Sequence, residues 1–184
     1  LAPSDFSPDS YTSRTMTIGG AGAMRQNAQT GFFKLNSLEK AEYRTDVTGW
    51  YDQEALWFVI RAYGKTLPEL KKDHAGRDSD VWQDDSVEVF ISPKEKVYNY
   101  WHVIVNPAGA ILDEYRPGRP MVMNRTFDIE KLRASIIYDY EWWQVDLSIP
   151  FESIDAEAPE AGETWRINFT RFAPAATREE EYST

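Results

Sequence analysis

Cysteine is absent from the 184 residues. Disulfides, thiolate metal sites and cysteine nucleophiles are excluded together. Histidine is almost as scarce: His74 and His102 are the only two, too few for a histidine-rich metal centre. Basic residues are also short, with 20 Lys and Arg against 30 Asp and Glu, a net charge of −10. Nucleic acids and anionic membrane surfaces call for a basic face, so neither is an expected partner. Acidic polysaccharides would be repelled unless a local patch or a bound cation intervened. No apolar run approaches the ~20 residues of a spanning helix, so membrane insertion is not expected. No signal peptide is visible at Leu1. The phosphate loop, the Rossmann glycine pattern and the Gly-x-Ser-x-Gly elbow are all missing. Glycosidase chemistry needs two carboxylates across a cleft, and 30 acids give no means of singling out a pair.

What the chain has instead is aromatic side chains: 7 Trp, 10 Tyr and 9 Phe, or 14% of residues. Aromatics fill large cores and also stack on flat ligands. Combined with the acidic balance, they shift the expected partner toward neutral sugars. The hydrophobic pattern is that of strands. Ala55 to Tyr63 is the strongest, with Leu56, Phe58 and Ile60 on one face and Trp57, Val59 and Arg61 on the other, which places it centrally. Asp85 to Ile91 alternates, with Val87, Val89 and Ile91 opposite Glu88 and Phe90. Val97 to Val105 leads through the turn Asn106-Pro107-Ala108-Gly109 to a hairpin partner at Ala110 to Tyr115. Thr30 to Leu35, Glu42 to Tyr51, Leu132 to Ile137, Trp142 to Ile149 and Thr164 to Phe172 read as further strands, and Pro150 to Ile154 as a short helical turn. Thr66 to Asp80 is a polar excursion with room for one helical turn. The expected fold is all-β: an antiparallel two-sheet β-sandwich, immunoglobulin-like or jelly-roll-like, with few or no helices; a closed barrel is the alternative. Residues 1–13 read as a linker or processed N-terminus, and residues 14–184 as a single domain.

One segment carries chemistry: Val81-Trp82-Gln83-Asp84-Asp85-Ser86-Val87-Glu88-Val89-Phe90. A tryptophan at a loop-to-strand junction precedes two acids, and Glu88 then interrupts an apolar strand. Ionised carboxylates accept strong hydrogen bonds from hydroxyls, while an indole face covers the C–H side of a pyranose. The plain structural alternative is that Trp82 caps the core and Glu88 lies on a wet face. His102 sits in an aromatic strand, where a buried, hydrogen-bonded histidine is the ordinary outcome. Of Trp142 and Trp143, alternation turns one outward.

Trp82 to Phe90 resembles the signature of family 9 carbohydrate-binding modules and their DOMON-like relatives. Other pieces follow in the family's order: Tyr51-Asp52 before Leu56-Trp57-Phe58-Val59, the Asn106 to Gly109 turn, Trp143 to Phe151, and Gly162 to Arg171. The resemblance spans roughly Gly31 to Phe172. It implies a β-sandwich that binds carbohydrate without cleaving it, clasping a terminal sugar between two tryptophans. The first tryptophan falls on Trp82 and the ligand glutamate on Glu88. A family arginine aligns with His102 and a family glutamine with Thr170, both departures. The second tryptophan and a nearby asparagine would lie beyond Thr184, so the resemblance implies a domain incomplete at its C-terminus.

The expected function is a non-catalytic carbohydrate-binding module recognising neutral glycans or sugar chain ends. Trp82, Glu88, His102 and Thr170 would be its ligand-binding residues, and the other domains of a larger chain its further partners. The resemblance also implies a secreted, periplasmic or cell-surface setting in a polysaccharide-degrading bacterium. The alternatives are a DOMON-like haem or redox domain and a structural accessory domain of a glycan-degrading enzyme. No cofactor is required. Calcium has candidate ligands among the loop acids near Asp80 and Asp84, without EF-hand spacing. Haem is disfavoured; DOMON-like relatives hold it through methionine with histidine or lysine, and Met121 or Met123 with His102 is the pair considered for it.

Overall fold

The structure is a computed structural model, and it describes residues 31–34, 39–93, 99–117, 127–160 and 163–174, with the backbone of 179–183. Its strands are β1 (Phe33–Lys34), β2 (Thr45–Tyr51), β3 (Ala55–Tyr63), β4 (Ser86–Ser92), β5 (Asn99–Val105), β6 (Ile111–Pro117), β7 (Arg133–Tyr138), β8 (Trp142–Pro150), β9 (Arg166–Pro174) and β10 (Glu179–Ser183). They form two separate antiparallel sheets: β1-β10-β9-β4-β5-β6 and β2-β3-β8-β7. No α-helix occurs among the described residues; the helical pieces are 3-10 turns at Leu67–Glu69, Val81–Gln83 and Phe151–Ile154. This is the two-sheet sandwich expected from the alternation, not a barrel.

Alternation explains the interior. Leu56, Phe58, Ile60 and Ala62 of β3, Trp143, Val145, Leu147 and Ile149 of β8, and Val87, Val89 and Ile91 of β4 all point into one buried cluster. Phe58 meets Phe169 edge to face across the two sheets, with centroids 5.3 Å apart. β3 is flanked by β2 and β8, as a strand apolar on both faces should be. The β2–β3 hairpin closes on Asp52, whose Oδ1 accepts from the backbone N–H of Glu54 and of Ala55, each at 2.8 Å. Gly64 ends β3 at φ +94°, and a Cβ there would lie 2.3 Å from the Tyr43 ring.

Two departures from expectation matter. The polar segment Glu179–Ser183, lacking an apolar stripe, is strand β10 and pairs with β9; β1 pairs with it in turn. Backbone pairing decides here: β10 is hydrogen-bonded to β9 on one side and to the two-residue β1 on the other. The interior also holds ions. Lys65 Nζ lies 2.9 Å from both oxygens of Asp85, with the two side chains 7% and 0% exposed. Arg171, fully buried on β9, donates to the Arg44 carbonyl at 3.2 Å. Burial pushes its guanidinium down to about 10, against the pull of Asp85.

Candidate functional site

The outer face of the six-stranded sheet assembles the residues singled out above. Strand alternation puts Ser86, Glu88 and Phe90 of β4 on that face, with Tyr100, His102 and Ile104 of β5 beside them. Register sets Glu88 against Ile104 on one side and Thr170 on the other, and His102 against Glu114 of β6. Trp82, in the 3-10 turn before β4, is half-buried against Val81, Ile104, Ala110 and Leu112. Trp82, Glu88, His102 and Thr170, though far apart in sequence, therefore share one face.

Their chemistry is a linear chain of charge. Glu88 Oε2 lies 2.7 Å from His102 Nε2, and Glu114 Oε1 lies 3.1 Å from His102 Nδ1. Arg116 Nη2 donates to the same Glu114 oxygen at 2.8 Å. Phe90 stacks on the imidazole at 4.0 Å, and the Arg116 guanidinium lies 6.0 Å from the Tyr100 ring. Burial alone would push His102 down, but the hydrogen bonds and charges of Glu114 and Glu88 outweigh it and hold the imidazole above its ordinary value. Burial pushes Glu114 up, yet His102 and Arg116 pull it down to about 2. Side-chain exposure rises along the chain from 1% at Glu114 to 11% at Glu88, so Glu88 is its accessible end. Beside it, the hydroxyls of Thr170 and Ser86 are buried and find no hydrogen-bond partner among the described residues. Such groups are costly unless something pairs them.

Glu114, Arg116 and Ser86 were not singled out from the sequence. The signal was present for Glu114. Asn106 pairs with Ala110 across the turn, so counting four residues back and four forward sets His102 opposite Glu114.

The two adjacent acids of the motif act as tethers. Asp84 Oδ2 accepts from the His74 backbone N–H at 2.9 Å and from Asn106 Nδ2 at 2.8 Å. Asp85 Oδ2 accepts from the Lys71 N–H at 2.8 Å as well as from Lys65. Together they bind the 66–80 excursion to the sheet and seat the Trp82 turn. Asp80, at the start of that turn, has Oδ1 3.4 Å from Trp82 Nε1. Asp80 and Asp84 flank the Trp82 turn and are not among the acids that converge in a group of three. The acids that do converge are Asp78, Asp113 and Asp128, with carboxylate oxygens within 4.8 Å of one another. Arg77 donates into this group, to Asp113 at 2.5 Å and Asp128 at 2.6 Å, supplying a positive charge from the chain itself. Burial pushes Asp113 up to about 6, against the Ile129 N–H and Arg77. For haem, Met121 and Met123 lie outside the described residues, and both ring nitrogens of His102 face carboxylates.

The tryptophans separate by location. Trp101, Trp143 and Trp165 are in the core. Trp82 stands on the six-stranded sheet. Trp142 is half-buried with the Arg61 guanidinium 4.2 Å from its ring, so it is the outward member of the 142–143 pair.

No protein-family model matches the chain, and no curated protein matches it either. Solved structures do. A candidate carbohydrate-binding protein from Bacteroides uniformis superposes with a TM-score of 0.66 at 13% identity, over 94% of this chain and 89% of that one. A family 9 carbohydrate-binding module from Caldicellulosiruptor kristjanssonii in complex with glucose gives 0.62 at 15%, over 93% and 82%. The same organism's module in complex with cellotriose gives 0.61 at 15%, over 93% and 79%. The chain therefore has the β-sandwich fold of family 9 carbohydrate-binding modules. At these identities, fold is what the likeness shows.

Proposed function

We propose that this chain is a non-catalytic carbohydrate-binding domain for neutral glycans or their chain ends, with its site at Trp82, Glu88, His102 and Thr170. One observation carries the reading: the Glu88 carboxylate, the most exposed member of the charge chain at 11%, stands beside the buried, unpartnered hydroxyls of Thr170 and Ser86, with Trp82 on the same face. Glu88 accepts from sugar hydroxyls, Thr170 lies against it across the strand pair, and the indole covers the C–H face. His102, held between Glu88 and Glu114, orients the carboxylate. Neither ring nitrogen of His102 is left to take a proton from Thr170 or Ser86, which supports binding over nucleophilic catalysis. The reading calls for no cofactor. It suits a secreted or surface-attached bacterial protein in which this domain, one of several, delivers a polysaccharide-degrading neighbour to its substrate. The two like-folded modules with bound glucose and cellotriose support the choice of ligand class.

The test is a glycan array on the purified chain, followed by titration calorimetry of the parent, Trp82→Ala and Glu88→Gln against the best hit. Each variant should weaken binding at least tenfold while still unfolding in one cooperative melt, with Trp82→Ala near the parent temperature. A blank array, or variants that bind as the parent does, refutes the assignment.

A further inference from the structure

The opposite side of the sandwich carries a second aromatic surface that the proposed site does not use. The outer face of the four-stranded sheet opens as a groove of about 1480 Å³. Register builds a cross-strand row there: Trp50 of β2 opposite Trp57 of β3, Trp57 opposite Ser148 of β8, and Ser148 opposite Arg133 of β7. Three strand spacings of ~4.8 Å make this row roughly 14 Å long. The row beside it includes Asp146 and Ser135, paired with each other.

The two indoles are parallel within 7°, with centroids 6.3 Å apart, and both are half-buried. Trp57 is pinned: its Nε1 donates at 2.8 Å to Oδ2 of Asp52, the residue that also closes the β2–β3 hairpin. Its one polar atom is spent within the chain, which leaves ring surface for a partner. Two of the charged groups around the groove pair with each other, and a third is held by an amide. Lys131 pairs with Glu152, and Gln144 links Asp146 to Arg61. The lining holds four acids, Glu54, Asp146, Glu152 and Glu157, against Lys131 and Arg133, so it disfavours an anionic ligand. Apolar rings at one end and hydroxyl, carboxylate and guanidinium groups at the other fit a ligand with apolar C–H faces and many hydroxyls. A protein partner would instead call for a contiguous apolar core with a polar rim.

We propose that the Trp50–Trp57 face is a second carbohydrate-binding surface, which takes a neutral oligosaccharide segment laid across the strands. The indoles stack on sugar C–H faces, while Ser148, Asp146 and Arg133 hydrogen-bond hydroxyls further along. This surface is separate from the Glu88 face, so either can fail without the other.

The experiment titrates the whole chain with cellohexaose, xylohexaose, mannohexaose and laminarihexaose. Calorimetry is combined with NMR of the indole N–H resonances. With at least one of these probes the parent should show a class of sites that Trp82→Ala leaves intact, and the Trp57 N–H should shift on titration. Trp50→Ala and Arg133→Ala should weaken one class of sites at least tenfold, whereas Trp82→Ala leaves that class intact. Arg133 is exposed, so its variant keeps the test valid if truncating an indole disturbs the hairpin. The proposal is overturned if none of the four probes binds. It is overturned if the only binding seen is abolished by Trp82→Ala, or if both face variants titrate as the parent. Self-association of the chain that Trp50→Ala abolishes would assign the face to a protein partner instead, and would also overturn it.

Discussion

Replacing Asp85 with alanine tests whether the motif acids hold the fold or serve the ligand. Asp85 is fully buried, accepts from Lys65 Nζ with both oxygens at 2.9 Å, and accepts from the Lys71 N–H. It is also the acid whose charge acts on buried Arg171. Removing it leaves Lys65 with only the Pro174 carbonyl, the Lys71 N–H without its acceptor, and Arg171 without the negative charge that acts on it. Breaking a buried ion pair from one side costs about 3–5 kcal/mol, because a charge remains unpaired in a medium that solvates it poorly. In a chain of this length 1 kcal/mol moves the melting temperature by about 2–4 °C, so the drop should be roughly 6–20 °C. Urea and thermal melts followed by tryptophan fluorescence at pH 7 measure it. Lys65→Met alone should also destabilise, and the double variant should lose clearly less than the two singles added together, since each single strands the other's charge. A loss below about 1 kcal/mol for Asp85→Ala, or strict additivity in the cycle, would refute the reasoning.

Two further outcomes follow from the same structure. Gly64→Ala should destabilise by about 1–3 kcal/mol in a urea melt, because residue 64 sits at φ +94° and the new Cβ would collide with Tyr43; an unchanged midpoint would mean that the β3 end relaxes freely. The pH profile of stability should fall at both ends. The fold raises His102 above 6.5, so its contribution is complete below that pH and declines as pH rises through the folded value, whereas Glu114, lowered from 4.5 to about 2, contributes above 4.5 and is lost as pH falls. His102→Gln should abolish the alkaline limb of that profile, and its persistence would assign the limb elsewhere.

How far the sequence could be read varies with the kind of force involved. β3, β4 and β5 were legible because alternation of apolar side chains records which face is buried, and burial dominates those strands. β10 was not, because Glu179–Ser183 is held by backbone pairing, to which side-chain pattern gives little clue. The grouping of Trp82, Glu88, His102 and Thr170 on one face was anticipated only through resemblance, since contacts across β4, β5 and β9 depend on register between distant segments. The structural roles of Asp84 and Asp85 were not legible, because only the return of Asn106 and Lys65 to their side shows them as tethers. Trp57 was placed correctly on the face of Val59 and Arg61, but its stacking on Trp50 needed the hairpin register.

The stacking of Phe90 on His102 has a spectroscopic consequence. A phenyl ring 4.0 Å from an imidazole and tilted by only 15° places the imidazole protons in its shielding cone. The chain has one other histidine, His74, which sits against Asp84 at 3.2 Å. Two histidine signals are therefore expected in a proton spectrum, with that of His102 displaced upfield by ring current. The scarcity of histidine thus turns the centre of the charge chain into a label that needs no isotope or probe. Glu88 is in direct contact with that imidazole, so any molecule that engages its carboxylate should move the displaced signal and leave the other where it was.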